Sequence, residues 1–431
     1  MALTGRAAAA AALGIAFVFV APQHGLTVVA VAVLLAVAVG YDLALAASPF
    51  AVRLERSGAA SGRLGEPGDV VLVLTNAGAS RLRGLVRDAW PPSTQSTPHA
   101  WRVDLAAGAS VRLTTTLRPT RKGERSAAGV TIRAVGPLGL AARQRTRAAP
   151  WTYRVLPAFT SRRLLPEKLA RLRELDGTVV VLTRGQGSEF DSLRGYVDGD
   201  DSRSIDWRAT ARRQEVVVRT WRPERDRQVV IVLDTGRTSA GRIEGATRFD
   251  SSLDAALLLA ALARAAGDRV GLLAHDRGPR AVVPTTRQGE VLPAIMRATT
   301  DLEPVLAETD VPAIIAQLMR QSRRRSLIVW FTALEPAAMQ AGLLPALPGL
   351  LRRHTLLLAA VSDPRLDELA ADRRTVDATY RAAAAERARA DRAALASTLR
   401  RRGVLVVTAP PSSFASKVAD GYLDLKAAGR L

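Results

Sequence analysis

The sequence predicts a mixed α/β protein: a doubly wound, Rossmann-like parallel sheet in the C-terminal half, a small antiparallel β-sandwich before it, and an N-terminal two-helix transmembrane hairpin. Three observations carry that prediction. Two apolar runs open the chain, short alternating runs follow, and continuous apolar runs interleaved with helical segments fill the rest. The implied segments are 1–48 for the hairpin, 49–155 for the sandwich, 156–224 for a connecting segment and 225–431 for the α/β domain.

The hairpin comes first. Apolar helices are expected at about 5–21 and 26–47, split by Pro22-Gln23-His24-Gly25. The second run is 22 residues from Leu26 to Ala47, or about 33 Å as a helix, enough to cross a hydrocarbon core of about 30 Å. Arg6 precedes the first run, Arg53 and Arg56 follow the second, and the intervening loop has no lysine or arginine. The positive-inside bias then puts both ends, and the soluble body, in the cytoplasm at the plasma membrane. Asp42 stands near the end of the second run, where its carboxylate is expected to reach the headgroups.

From Pro49 onwards the pattern has period two. Residues 51–56, 69–75 and 110–117 alternate, and turn signals separate them at Gly65-Glu66-Pro67-Gly68 and Ala106-Ala107-Gly108. Such alternation reads as antiparallel strands with one face buried. No reactive constellation occurs in this segment, which reads as a spacer or binding module.

The third segment alternates strand and helix. Strands are expected at 229–234, 270–275, 326–332, 355–361 and 403–408, with helices between them, including an Ala/Arg-rich one from Thr379 to Arg402. Apolar runs of this kind are buried on both faces, as parallel strands are. Ligand sites of such sheets lie beyond the carboxyl ends of the strands. Asp234 stands at one of them, in Asp234-Thr235-Gly236-Arg237-Thr238-Ser239.

Between sandwich and sheet, residues 185–215 interleave acids, arginines and aromatics around glycines. Glu189, Phe190, Arg194, Tyr196, Asp200, Asp201, Arg203, Asp206, Trp207 and Arg212 are the candidate partner-binding residues. An enzyme would use Asp200, Asp201 and Asp206 as a divalent-metal or acid/base cluster for hydrolysis. The adjoining arginines instead favour capping and ion pairs, with Arg194, Arg203 and Arg212 set against Glu189, Asp200 and Asp206. No catalytic residue is assigned.

Composition narrows the function classes. The 431 residues include no cysteine and four scattered histidines, which excludes disulfides and thiolate chemistry and disfavours a histidine metal cluster. The net charge of +21 raises nucleic acid or anionic lipid as partners. Arginines are dispersed among acids and aromatics are only 4% of the chain, so nucleic acid is the disfavoured partner.

Several pieces resemble the domain of unknown function 58 family, whose α/β domain is von Willebrand A-like. They are Gly187-Ser188-Glu189-Phe190, Leu193-Arg194-Gly195-Tyr196, Gly199-Asp200-Asp201-Ser202-Arg203, Ile205-Asp206-Trp207 and Gly267-Asp268-Arg269-Val270-Gly271-Leu272. Others are Arg323-Arg324-Arg325-Ser326-Leu327, Tyr422-Leu423-Asp424-Leu425-Lys426 and the turn Gly136-Pro137-Leu138-Gly139-Leu140, with glycine where the family pattern has aspartate. Von Willebrand A domains bind a divalent metal through an Asp-x-Ser-x-Ser loop. Here the first serine position is Gly236, the second is Thr238, and the aspartate expected after Thr332 is Ala333. The resemblance thus leaves a degenerate site of Asp234, Thr238 and Thr332, with magnesium disfavoured and no cofactor expected. It also implies a partner role beside a MoxR-type AAA+ ATPase in protein assembly or maturation.

Overall fold

The computed structural model describes residues 1–182, 189–198, 200, 202–222, 227–286, 290–322 and 324–430, with the side chains of 176–182, 189–192 and 220–222 excepted. The chain divides into two compact units, 1–156 and 157–431.

In the first unit, α1 (Gly5–Val20) and α2 (His24–Leu45) pack against each other. His24 Nδ1 lies 2.7 Å from the Val18 carbonyl oxygen and ties the short turn to the end of α1. Among the described residues, one helix, beginning at His24, is long and apolar enough to cross a membrane. Most of its large apolar side chains, Leu26, Val29 and Leu34 among them, are exposed.

Seven longer strands follow: β1 (Val52–Gly58), β2 (Gly68–Asn76), β3 (Leu82–Ala89), β4 (Ala100–Leu105), β5 (Ser110–Leu117), β6 (Gly129–Val135) and β7 (Ala141–Arg147). β1, β2 and β5 form one antiparallel sheet; β7, β6, β3 and β4 form another, extended past β7 by Ala2–Leu3. A third small sheet joins 61–63, 152–156 and 123–126, its first pair parallel. Val52, Leu72, Leu74 and Leu113 from one sheet pack with Leu82, Val86, Val103 and Ile132 from the other. Period-two alternation has therefore put one face of each sheet into a shared core.

Two residues in this unit depart from the membrane-flank expectation. Asp42 is fully buried, and its carboxylate accepts the backbone N–H groups of Leu138 (2.7 Å), Leu140 (2.6 Å) and Ala141 (2.7 Å). The 136–140 turn grips α2 through it rather than leaving it to the headgroups. A Cβ at Gly136 would meet an Asp42 carboxylate oxygen at 2.3 Å, so the glycine there makes room for the clamp. Arg56 is likewise internal: its guanidinium binds Asp88 with both side chains almost fully buried, and Trp90 Nε1 donates to the same carboxylate at 2.9 Å. Arg56 is therefore half of a core ion pair, and the exposed flanking charges are Arg6 and Arg53.

The second unit opens with α3 (Leu165–Leu182), then an antiparallel hairpin of β8 (Glu189–Gly195) and β9 (Val217–Arg222) enclosing α4 (Trp207–Arg213). The main sheet and its helices follow in chain order: β10 (Gln228–Asp234), α5 (Arg248–Ala265), β11 (Arg269–His275), β12 (Pro279–Thr286), α6 (Val291–Thr299), α7 (Val311–Gln321) and β13 (Leu327–Phe331). After them come α8 (Leu344–Leu351), β14 (Thr355–Val361), α9 (Arg365–Ala371), α10 (Val376–Arg401), β15 (Leu405–Ala409) and α11 (Pro411–Ala427). The sheet order is β12-β11-β10-β13-β14-β15, parallel throughout except for edge strand β12. The edge strand and the β8–β9 pairing are features that apolar periodicity did not anticipate.

Side-chain alternation feeds two layers. Val230, Val232, Ile328, Trp330 and Leu358 pack with Ile314, Leu318, Leu347 and Leu399 of α7, α8 and α10. On the opposite face α5 and α11 pack together, and Phe331 meets Phe414 of α11 edge-on, ring centres 6.0 Å apart. A sheet covered on both faces requires apolar residues at every position, and all seven residues of β10 except Gln228 are buried.

Candidate functional site

Among the parallel strands the first, β10, lies between β11 and β13, so successive connections leave it in opposite directions. Beyond the carboxyl ends of strands at such a switch point is the usual ligand position of these sheets. Asp234 ends β10 there and is 4% exposed.

Its carboxylate is ringed by neutral donors. One oxygen accepts the Gly236 amide at 2.8 Å and the Thr309 hydroxyl at 2.6 Å. The other accepts the Thr332 hydroxyl at 2.7 Å and, at 3.5 Å, that of Thr238. Thr332 reaches across from the end of β13, which fastens the two strands beyond their last ladder bond. Thr309 arrives from the loop before α7, held by backbone bonds from Arg237 to Ala307 and from Val305 to Thr235. Asp310 next to it caps α7 through the Ala313 amide.

Thr309 is the residue that motif reading missed. Its only local mark is the Thr-Asp-Val-Pro start of a helix, which says nothing about Asp234, 75 residues away. Its arrival also accounts for Gly236: a Cβ there would meet the Thr309 hydroxyl oxygen at 2.1 Å. A serine at that position cannot coexist with Thr309 in this geometry.

A second carboxylate lies nearby on β11's side. Asp276 accepts from the Thr235 hydroxyl at 3.0 Å and pairs with Arg280 at 2.7 Å. Burial alone would raise its pKa, but Arg280, the Arg277 amide and Thr235 outweigh it and hold the carboxyl below the usual range. Already paired, Asp276 is committed to the loop scaffold. For a divalent cation, Asp234, Thr238, Thr309 and Thr332 together offer a single charge, a thin donor set for an ion that prefers several carboxylates. Ala333 contributes no oxygen side chain, and among the described residues no three acids or histidines converge.

The hairpin carries most of the partner-binding candidates. Asp200 accepts from Arg194 at 2.6 Å and from the Val197 amide at 3.0 Å, closing the turn after β8. Asp206 caps α4, accepting from the Arg208 and Ala209 amides at 3.1 and 3.0 Å. Its other oxygen takes Arg219 at 2.8 Å, not Arg203 or Arg212. The reason is register: the bridge between Ile205 and Val218 sets Arg219 beside Asp206. The Ala209 amide first, then Arg219, hold the Asp206 carboxyl below its ordinary range, as an ionised capping group requires.

Arg203 lies in the 202–204 turn, and Arg212 in the last turn of α4. Tyr196, Val197, Trp207 and Val216 are exposed at 39%, 62%, 69% and 40%. Asp201 and the side chains of Glu189 and Phe190 lie outside the described residues.

Fold and site together define a mixed α/β protein with an apolar N-terminal helix and a hydroxyl-ringed aspartate at the switch point of a parallel sheet. Residues 192–402 match the model of the family described as protein of unknown function DUF58, which supports assigning the chain to that family. Uncharacterized protein Rv1480 of Mycobacterium tuberculosis is 29% identical over 197 residues, 45% of this chain and 61% of that protein. Uncharacterized protein Mb1516 of Mycobacterium bovis matches with the same values. The chain thus spans 61% of the length of these curated relatives.

Among solved structures, the conserved hypothetical protein BatB from Bacteroides thetaiotaomicron aligns with a TM-score of 0.29 at 14% identity, over 47% of this chain and 99% of that one. The CARDB domain of a Pyrococcus furiosus protein, solved with di-metal ions, aligns at 0.19 and 15% identity, over 24% and 91%. At these scores neither likeness carries an argument about fold or function.

Proposed function

We propose that the chain is a membrane-anchored scaffold or adaptor whose cytosolic body docks a partner protein through the hairpin of residues 189–222. The partner proposed is a MoxR-type AAA+ ATPase acting in protein assembly or maturation. In this reading α1 and α2 form a two-helix hairpin in the plasma membrane, the C-terminal sheet is von Willebrand A-like, and the chain has no turnover or cofactor of its own.

The observation that supports it is the exposure of Tyr196, Val197, Trp207 and Val216 on a hairpin held by two ion pairs. Exposed aromatic side chains on a preorganised frame are the usual anchors of a protein interface. Asp206 and Asp200 supply the frame, since each spends its carboxylate on a backbone amide and an arginine. That assignment leaves neither acid poised for proton transfer.

The test is affinity purification of the full-length protein in mild detergent, with and without ATP and magnesium, followed by mass spectrometry. An AAA+ ATPase recovered in a nucleotide-dependent manner, and lost with Trp207→Ser, is the expected result. Recovery of no AAA+ protein under either condition overturns the partner assignment.

A further inference from the structure

The five parallel strands all begin along one edge of the sheet, and an arginine stands within three residues of each start: Arg227, Arg269, Arg325, Arg353 and Arg402. Near the starts of β13 and β14 the arrangement becomes a groove. Arg320, Arg325, Arg352 and Arg353, with Met319, line an open depression of about 920 Å³. All four arginines are exposed. Among the described residues, none of the four makes an ion pair or a side-chain hydrogen bond.

Basic residues near helix ends have an ordinary explanation, because the last carbonyls of α7 and α8 carry partial negative charge. That accounts for a guanidinium at each end. It does not account for four turned onto one depression without a carboxylate, since like charges so gathered repel unless an anion joins them. Elsewhere in this unit arginines do find acids, as Arg171, Arg194, Arg219 and Arg280 show.

Guanidinium forks match phosphate oxygens in pairs. Among the described residues no aromatic side chain lines the groove, which gives it no stacking platform of the kind a single-strand nucleic-acid site uses. The chain also carries an apolar helix long enough to cross a bilayer, and in the anchored reading proposed above that helix keeps the rest of the chain near lipid. We propose that this arginine groove docks onto the phosphate headgroups of an anionic lipid surface. The inference rests on the unpaired charge and on the membrane anchoring proposed above, and it stands whether or not an ATPase binds the hairpin.

The chain has no cysteine, so Gln321→Cys, an exposed position beside Arg320, gives a unique labelling site. The full-length protein, labelled there with a fluorophore, is placed in nanodiscs containing a headgroup quencher. Quenching is compared between neutral phosphatidylcholine discs and discs with about 30% phosphatidylglycerol, where a rise of at least about threefold is expected. About 0.5 M salt should abolish the rise, because screening then acts within a few ångströms. Replacing Arg320, Arg325, Arg352 and Arg353 by Gln should abolish it too. Equal quenching in the two discs, or an unchanged rise in the quadruple variant, overturns the proposal. Displacement by inorganic phosphate at matched ionic strength would make free phosphate the ligand instead, and displacement by duplex DNA would make it nucleic acid.

Discussion

At the carboxyl end of the sheet, Asp234 is a single negative charge met by one amide and three hydroxyls. At the amino end, Arg320, Arg325, Arg352 and Arg353 are four positive charges facing one groove with no carboxylate among them. The first end has its hydrogen-bonding capacity satisfied internally and works as a structural knot. The second leaves its charge in solvent, available to something outside the chain. A distinctive residue pattern at a strand end is thus no guide to function until its partners are counted.

The largest effect should follow from cutting the knot. Asp234→Ala strands the Thr309 and Thr332 hydroxyls and the Gly236 amide in a buried site, each unsatisfied donor costing about 1–3 kcal/mol. Denaturant unfolding read by tryptophan fluorescence should show a loss of at least about 3 kcal/mol, and a loss below about 1 kcal/mol would contradict the geometry. Asp234→Asn, which keeps one acceptor, should lie between.

Next in size is Gly236→Ser, whose new side chain collides with Thr309; a loss of about 1–3 kcal/mol is expected from overpacking. Adding Thr309→Ala should recover part of that loss, the rest remaining because a Cβ at position 236 also meets the Ala307 carbonyl oxygen at 2.9 Å. The same double variant sharpens the metal question by restoring a serine at position 236. Calorimetry with magnesium should show weak or undetectable binding to the native chain, and any gain in the double variant would identify Thr309 as what closes the site.

A smaller, pH-dependent effect belongs to the amino end. His354, next to Arg353, is buried, and among the described residues neither ring nitrogen has a hydrogen-bond partner; burial first, then Arg353, lower its pKa. Protonation therefore favours the unfolded chain. Its contribution is intact above the unfolded value of about 6.5 and is lost as pH falls through the lower folded value. Urea midpoints at pH 7.5 and 5.5 should differ less in His354→Phe than in the native protein, although carboxylates such as Asp276 retain their own acid slope. The smallest change is expected from the groove itself. Arg352→Gln should leave stability within about 0.5 kcal/mol, or raise it slightly by relieving repulsion. A loss above about 1 kcal/mol would mean that the arginine is structural after all.

Much of the architecture is visible in patterns that are local. The runs at 229–234, 270–275 and 355–361 are apolar because both faces of those strands are covered, and a covered strand shows it at every position. The edge strand at 279–286 was not visible for the converse reason: an edge mixes Pro279, Arg280 and Thr285 with valines and carries no clean period. The candidate site was half legible. Asp234 announces itself by ending an apolar run, whereas its ring of donors is assembled from the Gly236 amide and the hydroxyls of Thr238, Thr309 and Thr332.

By itself, then, the sequence determined the apolar N-terminal helices, the alternation that makes two packed sheets, and the strand–helix rhythm of the C-terminal unit. All of these follow from the periodicity of burial, which is written in neighbouring residues. Only the tertiary structure decided what each charge does. Asp42 clamps a turn about 95 residues away rather than facing headgroups, Arg56 sits in a buried pair with Asp88, Asp206 takes Arg219, and Thr309 fills the place a serine would need. Partner choice depends on which groups folding brings within about 3 Å, a distance that spacing along the chain does not encode.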